Sequence, residues 1–178
     1  NGSKFSYRKV KNKSKKVYEA NITVFDALKK TDYDSKGKFL LERYVSAHSI
    51  MISLEGIPAI YFNSLFGKSN DEAKYIITGN NRDVNRYKWN YKNISKKLSN
   101  KNSKQSIFFQ KISNLLSIRR KQKAFHPNAS RHNINLGSKI FSFKRISINK
   151  KQTVICITNL SSKIQRANLN KIYHNWTN

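Results

Sequence analysis

Between Leu54 and Arg86 a short apolar run breaks into a polar stretch, LEGIPAIYFNSLFGKSNDEAKYIITGNNRDVNR, and this block limits the fold more tightly than any other part of the chain. Gly56 and Pro58 punctuate its beginning. Ile57 to Phe62 then form a near-continuous hydrophobic stretch with β-branched and aromatic members. Such a run is short for a helix and suits a strand buried on both faces. The polar residues behind it, Asn70, Asp71, Asn80, Asn81, Arg82, Asp83 and Arg86, would follow the carboxyl end of that strand, where barrels of alternating strands and helices gather their ligand chemistry.

Helical spacing flanks this block. Leu40, Leu41, Tyr44, Val45, Ala47, Ile50, Met51 and Leu54 predict a helix over Phe39–Leu54. A second helix is expected from Lys104 to Lys123, with Ile107, Phe108, Ile112, Leu115, Leu116 and Ile118 as its buried stripe and Arg119, Arg120 and Lys121 favouring its carboxyl end. His126-Pro127-Asn128 marks a boundary, because proline restricts its predecessor and the pattern turns extended afterwards. Extended segments are predicted near Arg131–Leu136, Lys139–Ile148, Thr153–Asn159 and Ile164–Leu169, with Tyr173 and Trp176 packing against them. Residues 1–17 are basic and nearly free of aliphatics, which predicts an exposed, poorly ordered lead-in.

The chain has 178 residues, 38% of them hydrophobic and 12% aromatic, which fits a folded protein. A complete (β/α)8 barrel takes about 250 residues and cannot fit. The formal net charge of +27 invites a nucleic-acid reading. The lysines, however, recur all along the chain beside Asn, Ile and Ser, without zinc-finger spacing or a single basic recognition helix, so no specific nucleic-acid partner is expected. The single cysteine, Cys156, cannot form an intrachain disulfide and reads as a core residue. No apolar run approaches the roughly 20 residues of a membrane span, so no membrane partner is expected and a cytoplasmic location is the default.

The block and its neighbours together resemble the sucrose phosphorylase and glucosylglycerate phosphorylase branch of the alpha-amylase superfamily. GIPAIYFNSLFGKSND is similar to that family's last barrel strand, and GNNRDVNR to the loop behind it. The resemblance extends to YEANITVFDAL (Tyr18–Leu28), RYVSAHSIMISL (Arg43–Leu54) and LLSIRRKQKAFHP (Leu115–Pro127), in unbroken order. It implies an α+β piece: residues 1–125 as the last part of a catalytic (β/α)8 TIM barrel, and residues 126–178 as a small antiparallel β domain. It also implies a retaining phosphorylase that moves a glucosyl group between an alpha-glucoside and phosphate through a glucosyl-aspartate intermediate, with no metal or organic cofactor. The family's catalytic carboxylates would all lie before Asn1, so none is assigned here. The chain, which begins with Asn rather than Met, is expected to be a carboxy-terminal piece that is inactive alone and is completed by the missing amino-terminal barrel portion.

The resemblance places Arg82 beside the glucosyl subsite, where a guanidinium can donate to sugar hydroxyls and pair with a carboxylate. The residues alone also allow Arg82 merely to brace its loop through Asp83 or another acid. Arg86 reads as structural. Tyr18 and Glu19 fall at the family's mobile acceptor loop, where an aromatic ring can cover a sugar face and a carboxylate can accept hydroxyl hydrogen bonds but repels phosphate. Glu42 and Glu55 make no convincing catalytic pair, Asp71 reads as loop structure, and His48, His126, His132 and His174 lack metal-ligand spacing. The alternatives are a fragment of an alpha-amylase-type hydrolase and a residual binding fragment without catalysis.

Overall fold

The computed structural model of the chain describes residues 2–9 and 15–169. In chain order they form β1 (Lys4–Lys9), β2 (Lys15–Asn21), α1 (Val24–Ala27), α2 (Leu40–Ser53), α3 (Phe62–Leu65) and α4 (Glu72–Thr78). A 3₁₀ turn follows at Asn81–Asn85, then α5 (Tyr91–Ser99), α6 (Lys104–Lys121) and a second 3₁₀ turn, Lys123–Phe125. The strands β3 (Ser130–Asn133), β4 (Ile140–Ile146) and β5 (Thr153–Asn159) end the described fold. This is an α+β chain whose sheets are antiparallel.

The chain divides into two compact units, Asn1–Val45 with Ala59–Asn114, and Ser46–Pro58 with Leu115–Asn178. In the first unit an aromatic cluster supplies the core. Tyr44 meets Phe108 edge-on at 4.8 Å between ring centroids, Phe25 lies 5.7 Å from Phe108, and Phe66 stacks on Phe109 at 5.6 Å. The Tyr44 hydroxyl donates to the Ser64 carbonyl at 2.6 Å, and burial pushes the phenol up to about 12, so it stays a donor. Gly67 has φ of +56°, and a Cβ there would stand 2.7 Å from the Phe108 ring, so position 67 takes a residue without a side chain.

The helices start where short polar side chains take the free N–H groups of their first turns. Thr23 caps α1, Asp71 caps α4 and Asn90 caps α5, while Gly79 in the left-handed region closes α4. Asp34 accepts from the backbone of Lys38 and Phe39 just ahead of α2, and Ser103 Oγ accepts from Ser106 N–H at the start of α6.

In the second unit β4 is the central strand, paired with β3 on one side and β5 on the other. Phe143 and Arg145, 1% and 0% exposed, face inward from β4. Arg145 Nη1 donates to Ser53 O at 2.8 Å, and its Nη2 to the carbonyls of His126 and Ala129. Arg119 donates to the carbonyls of Ile52, Leu54 and Gly56. Two guanidinium groups thus satisfy carbonyls at and beyond the end of α2 that have no helical partner. Cys156 is half-buried on β5, where burial pushes its thiol up.

The two long helices match the expected ones to within about two residues at each end; β4 and β5 fall inside two of the predicted extended segments, and β3 overlaps a third, starting one residue earlier and ending three residues sooner. The structure corrects three other readings. Ile57–Tyr61 is irregular rather than a strand and Phe62 begins α3; no described strand pairs with this segment, and an apolar run without a ladder partner has nowhere to place its backbone hydrogen bonds. Residues 4–9 and 15–17, expected in a loop, pair as β1 with β2, because Phe5 and Tyr7 carry a two-residue alternation hidden among lysines and the buried Asn21 amide ties Lys4 O and Ser6 Oγ. No strand forms over Ile164–Leu169, and Ile164 is 94% exposed. Tyr173 and Trp176 lie outside the described residues.

Candidate functional site

The polar loop behind Phe62 is held by asparagines. Asn63, buried, donates through Nδ2 to the carbonyls of Asn85 and Tyr87 and accepts from Trp89 Nε1 at 2.8 Å. Asn70 accepts from Thr23 N–H at 2.9 Å, and its own N–H donates to the Asp26 carboxylate. These bonds fix both ends of the segment that carries α4 and the Asn81–Asn85 turn. Inside it, Asp71 N–H donates to Val84 O at 2.7 Å, and Val84 is fully buried. Asn80 Oδ1 accepts from Arg82 N–H at 3.1 Å, which winds the turn so that the Arg82 side chain leaves it outward.

The hairpin meets this turn. Asn81 Nδ2 donates to Phe5 O at 3.0 Å, Lys4 pairs with Glu72 at 3.2 Å, and Asn70 Nδ2 donates to Gly2 O. A bulge in the hairpin sets Glu19 opposite Ser6 and Val17 opposite Tyr7, which leaves Tyr18 without a cross-strand partner. Tyr18 is 55% exposed.

Arg82 Nε donates to Glu19 Oε2 at 3.2 Å, joining positions 63 residues apart. The three residues singled out from the sequence, Tyr18, Glu19 and Arg82, therefore come together. The hydrogen bond and charge of Glu19, followed by Tyr18, raise the Arg82 pKa further and hold the guanidinium as a cation. The Arg82 side chain is 46% exposed. Asp83 is not its partner: Asp83 pairs with Lys74 at 2.9 Å, and that hydrogen bond, with a second from Thr78, holds its carboxyl below the usual range. Arg86 closes the turn through its N–H on Asp83 O. The cluster is a cation and an anion beside an exposed ring, a set able to bind polyhydroxylated ligands through charge-assisted hydrogen bonds and ring contact.

The other acids with visible contacts serve structure. Asp34 and Asp71 satisfy helix starts, Asp26 holds the Asn70 backbone, and Glu55 pairs with Arg131 at 2.8 Å. Among the described residues no three of His, Cys, Asp and Glu gather where they could hold a metal ion, and no helix is long and apolar enough to cross a membrane. Sequence reasoning noted Asn70 and Asn81 only as loop residues and passed over Asn63. The Asn-Ser and Asn-Asp pairs beside an apolar run were the available signal, since asparagine can donate and accept at once where two loop segments must be tied.

No protein-family model matches the chain. Glucosylglycerate phosphorylase of Escherichia coli K12 is 30% identical over 159 residues, a stretch that covers 88% of this chain and 27% of that protein. Glucosylglycerate phosphorylase of Allomeiothermus silvanus is 36% identical over 112 residues, 63% of this chain and 20% of the relative. The chain thus spans roughly a quarter or less of the length of these curated relatives. The crystal structure of sucrose 6F-phosphate phosphorylase from Thermoanaerobacter thermosaccharolyticum shares the fold, with a TM-score of 0.63 at 21% identity over 89% of this chain and 32% of that one. Over the matched stretch the chain is related to the glucosylglycerate and sucrose phosphorylases, and it corresponds to a carboxy-terminal part of them.

Proposed function

We propose that this chain is the carboxy-terminal part of a retaining glycoside phosphorylase that transfers a glucosyl group between an alpha-glucoside, of the glucosylglycerate or sucrose type, and phosphate. In this reading residues 1–125 belong to the catalytic barrel and residues 126–178 to a following β domain, and the catalytic carboxylates are supplied by the missing amino-terminal barrel portion. Arg82 binds the glucosyl unit, and Tyr18 and Glu19 line the acceptor side. The observation that carries the reading is the relation to the glucosylglycerate phosphorylases over most of this chain, and the Arg82–Glu19 contact supports it by drawing the loop behind Phe62 and the hairpin into one polar cluster. The same contact is compatible with phosphate as acceptor. A free carboxylate at Glu19 would repel phosphate, whereas one already facing a guanidinium presents far less net charge.

The test places the chain behind the sequence that precedes it in its gene and follows glucose 1-phosphate release from glucosylglycerate and from sucrose, with phosphate present. Phosphate-dependent release by the longer protein, and none by the 178 residues alone, is the expected result. Free glucose without glucose 1-phosphate would identify a hydrolase. Turnover by the chain alone would overturn the assignment of catalysis to the missing portion.

A further inference from the structure

The hairpin of β1 and β2 has no third strand among the described residues, and Phe5, Tyr7 and Val17 are exposed on it. Two strands alone are marginal in water, so the placement of this pair rests on what ties it to its neighbours. The ties converge on one side chain. Asn70 Oδ1 accepts from Thr23 N–H at 2.9 Å, two residues behind β2, and Asn70 Nδ2 donates to Gly2 O at 3.2 Å, two residues ahead of β1. One amide thus spans both legs at the open end of the hairpin, a task for a side chain that donates and accepts at once. The ties from Asn81 and Glu72, to Phe5 O and Lys4, reach β1 alone.

Asn70 is anchored on its other side as well. Its N–H donates to the carboxylate of the buried Asp26 on α1. The next N–H along the chain, that of Asp71, donates to Val84 O at 2.7 Å, inside the turn that carries Arg82. The hairpin, α1 and the Arg82 turn therefore meet at two consecutive residues. All these groups lie in one compact unit and bond to one another, so the arrangement does not depend on which outer surfaces of the chain are covered.

We propose that Asn70 is the positioning residue of the candidate site: it clamps both legs of the hairpin to the Arg82 turn, and Glu19 meets Arg82 because that clamp holds. The consequence for glucosyl transfer rests on the function proposed above, whereas the clamp itself does not. Hydrogen exchange read by mass spectrometry tests the clamp, in the 178-residue chain and in the longer protein alike. Asn70→Ala should speed the exchange of the β1 and β2 amides at least about tenfold. Asn90→Ala, which removes the cap of α5 in the same unit, should leave them within about twofold. Asn70→Asp keeps the acceptor for Thr23 and loses the donor to Gly2, so its effect should fall between the parent and Asn70→Ala, and it carries the test if Asn70→Ala does not fold. In the longer protein Asn70→Ala and Arg82→Lys should each lower glucosyl transfer. The double variant should stay within about twofold of the slower single one, because both changes act on one contact. Unchanged hairpin exchange in the Asn70 variants, equal acceleration by Asn90→Ala, or losses that multiply in the double variant would each overturn the proposal. Faster hairpin exchange in a longer protein that releases no glucose 1-phosphate would support the clamp and retire the proposed function.

Discussion

Ile57–Phe62 and β4 are both short runs rich in isoleucine and phenylalanine, and only β4 is a strand. β4 has β3 and β5 on its two sides, so its backbone groups enter ladders and its inward face is sealed, with Phe143 only 1% exposed. Ile57–Phe62 has no described strand beside it, and Ile57, Tyr61 and Phe62 are 85%, 56% and 55% exposed. The difference lies in the neighbours and not in the run itself. Local propensity states what a segment is suited to, and a strand forms where the chain also supplies its partners.

Hydrogen exchange offers the widest separation between the two regions. Amides in the centre of β4 should exchange roughly a thousandfold or more slowly than those of Ile57, Ala59, Ile60 and Tyr61, since ladder amides open only with their cooperative unit. Behind the sequence that precedes it in its gene, the second set should slow towards the first if the relation to the phosphorylases extends to a completed barrel. Equal exchange of the two sets in the 178-residue chain would break the comparison.

Side-chain replacement should separate the regions next. Arg145→Met on β4 leaves the carbonyls of Ser53, His126 and Ala129 without their donor in a buried setting, and should cost about 3–5 kcal/mol in a urea titration. Ile57→Ser removes an aliphatic side chain from solvent and should change stability by no more than about 0.5 kcal/mol. Similar losses from both would mean that the open segment is buried in solution.

Arg82 is the exposed counterpart of Arg145, with one carboxylate partner instead of three carbonyls. Arg82→Lys keeps the charge and loses the planar fork, so in the longer protein glucosyl transfer should fall by roughly 10- to 100-fold while the melting temperature stays close to that of the parent. Arg86→Lys should do less. An effect of Arg82→Lys on melting alone would show that it braces the loop and does not bind sugar.

What could be read in the sequence follows the same division. α2, α6 and β3 to β5 were legible because their periodicity is satisfied by partners within the chain. The hairpin was not, because Phe5, Tyr7 and Val17 are 47%, 54% and 52% exposed and its register rests on polar ties such as Asn21 and Asn81 that no hydrophobic pattern reports. Tyr18, Glu19 and Arg82 were legible as candidates through resemblance, whereas their convergence depends on a bulge and an Asn80-capped turn that spacing does not encode.

The start of α2 gives the smallest effect and a control, because it is organised without any distant partner. The Asp34 carboxylate accepts from Lys38 N–H at 2.8 Å, Phe39 N–H at 2.9 Å and Arg43 Nη1 at 2.7 Å, all within nine residues. The bond from Phe39, then that from Arg43, hold its pKa down from 3.8 to about 2. A carboxyl whose folded pKa lies below its unfolded value stabilises the fold fully above the unfolded value, and that contribution is lost as pH falls through the folded one. Asp34→Asn should therefore melt slightly below the parent chain by a constant margin above about pH 5, and the margin should narrow between 3.8 and about 2 as the parent's carboxylate is protonated. Melting curves of the two proteins across that range check it. A margin unchanged down to about pH 2 would show that the three bonds do not depend on the charge, and the local organisation of α2 would then have to rest on packing, as that of β4 does.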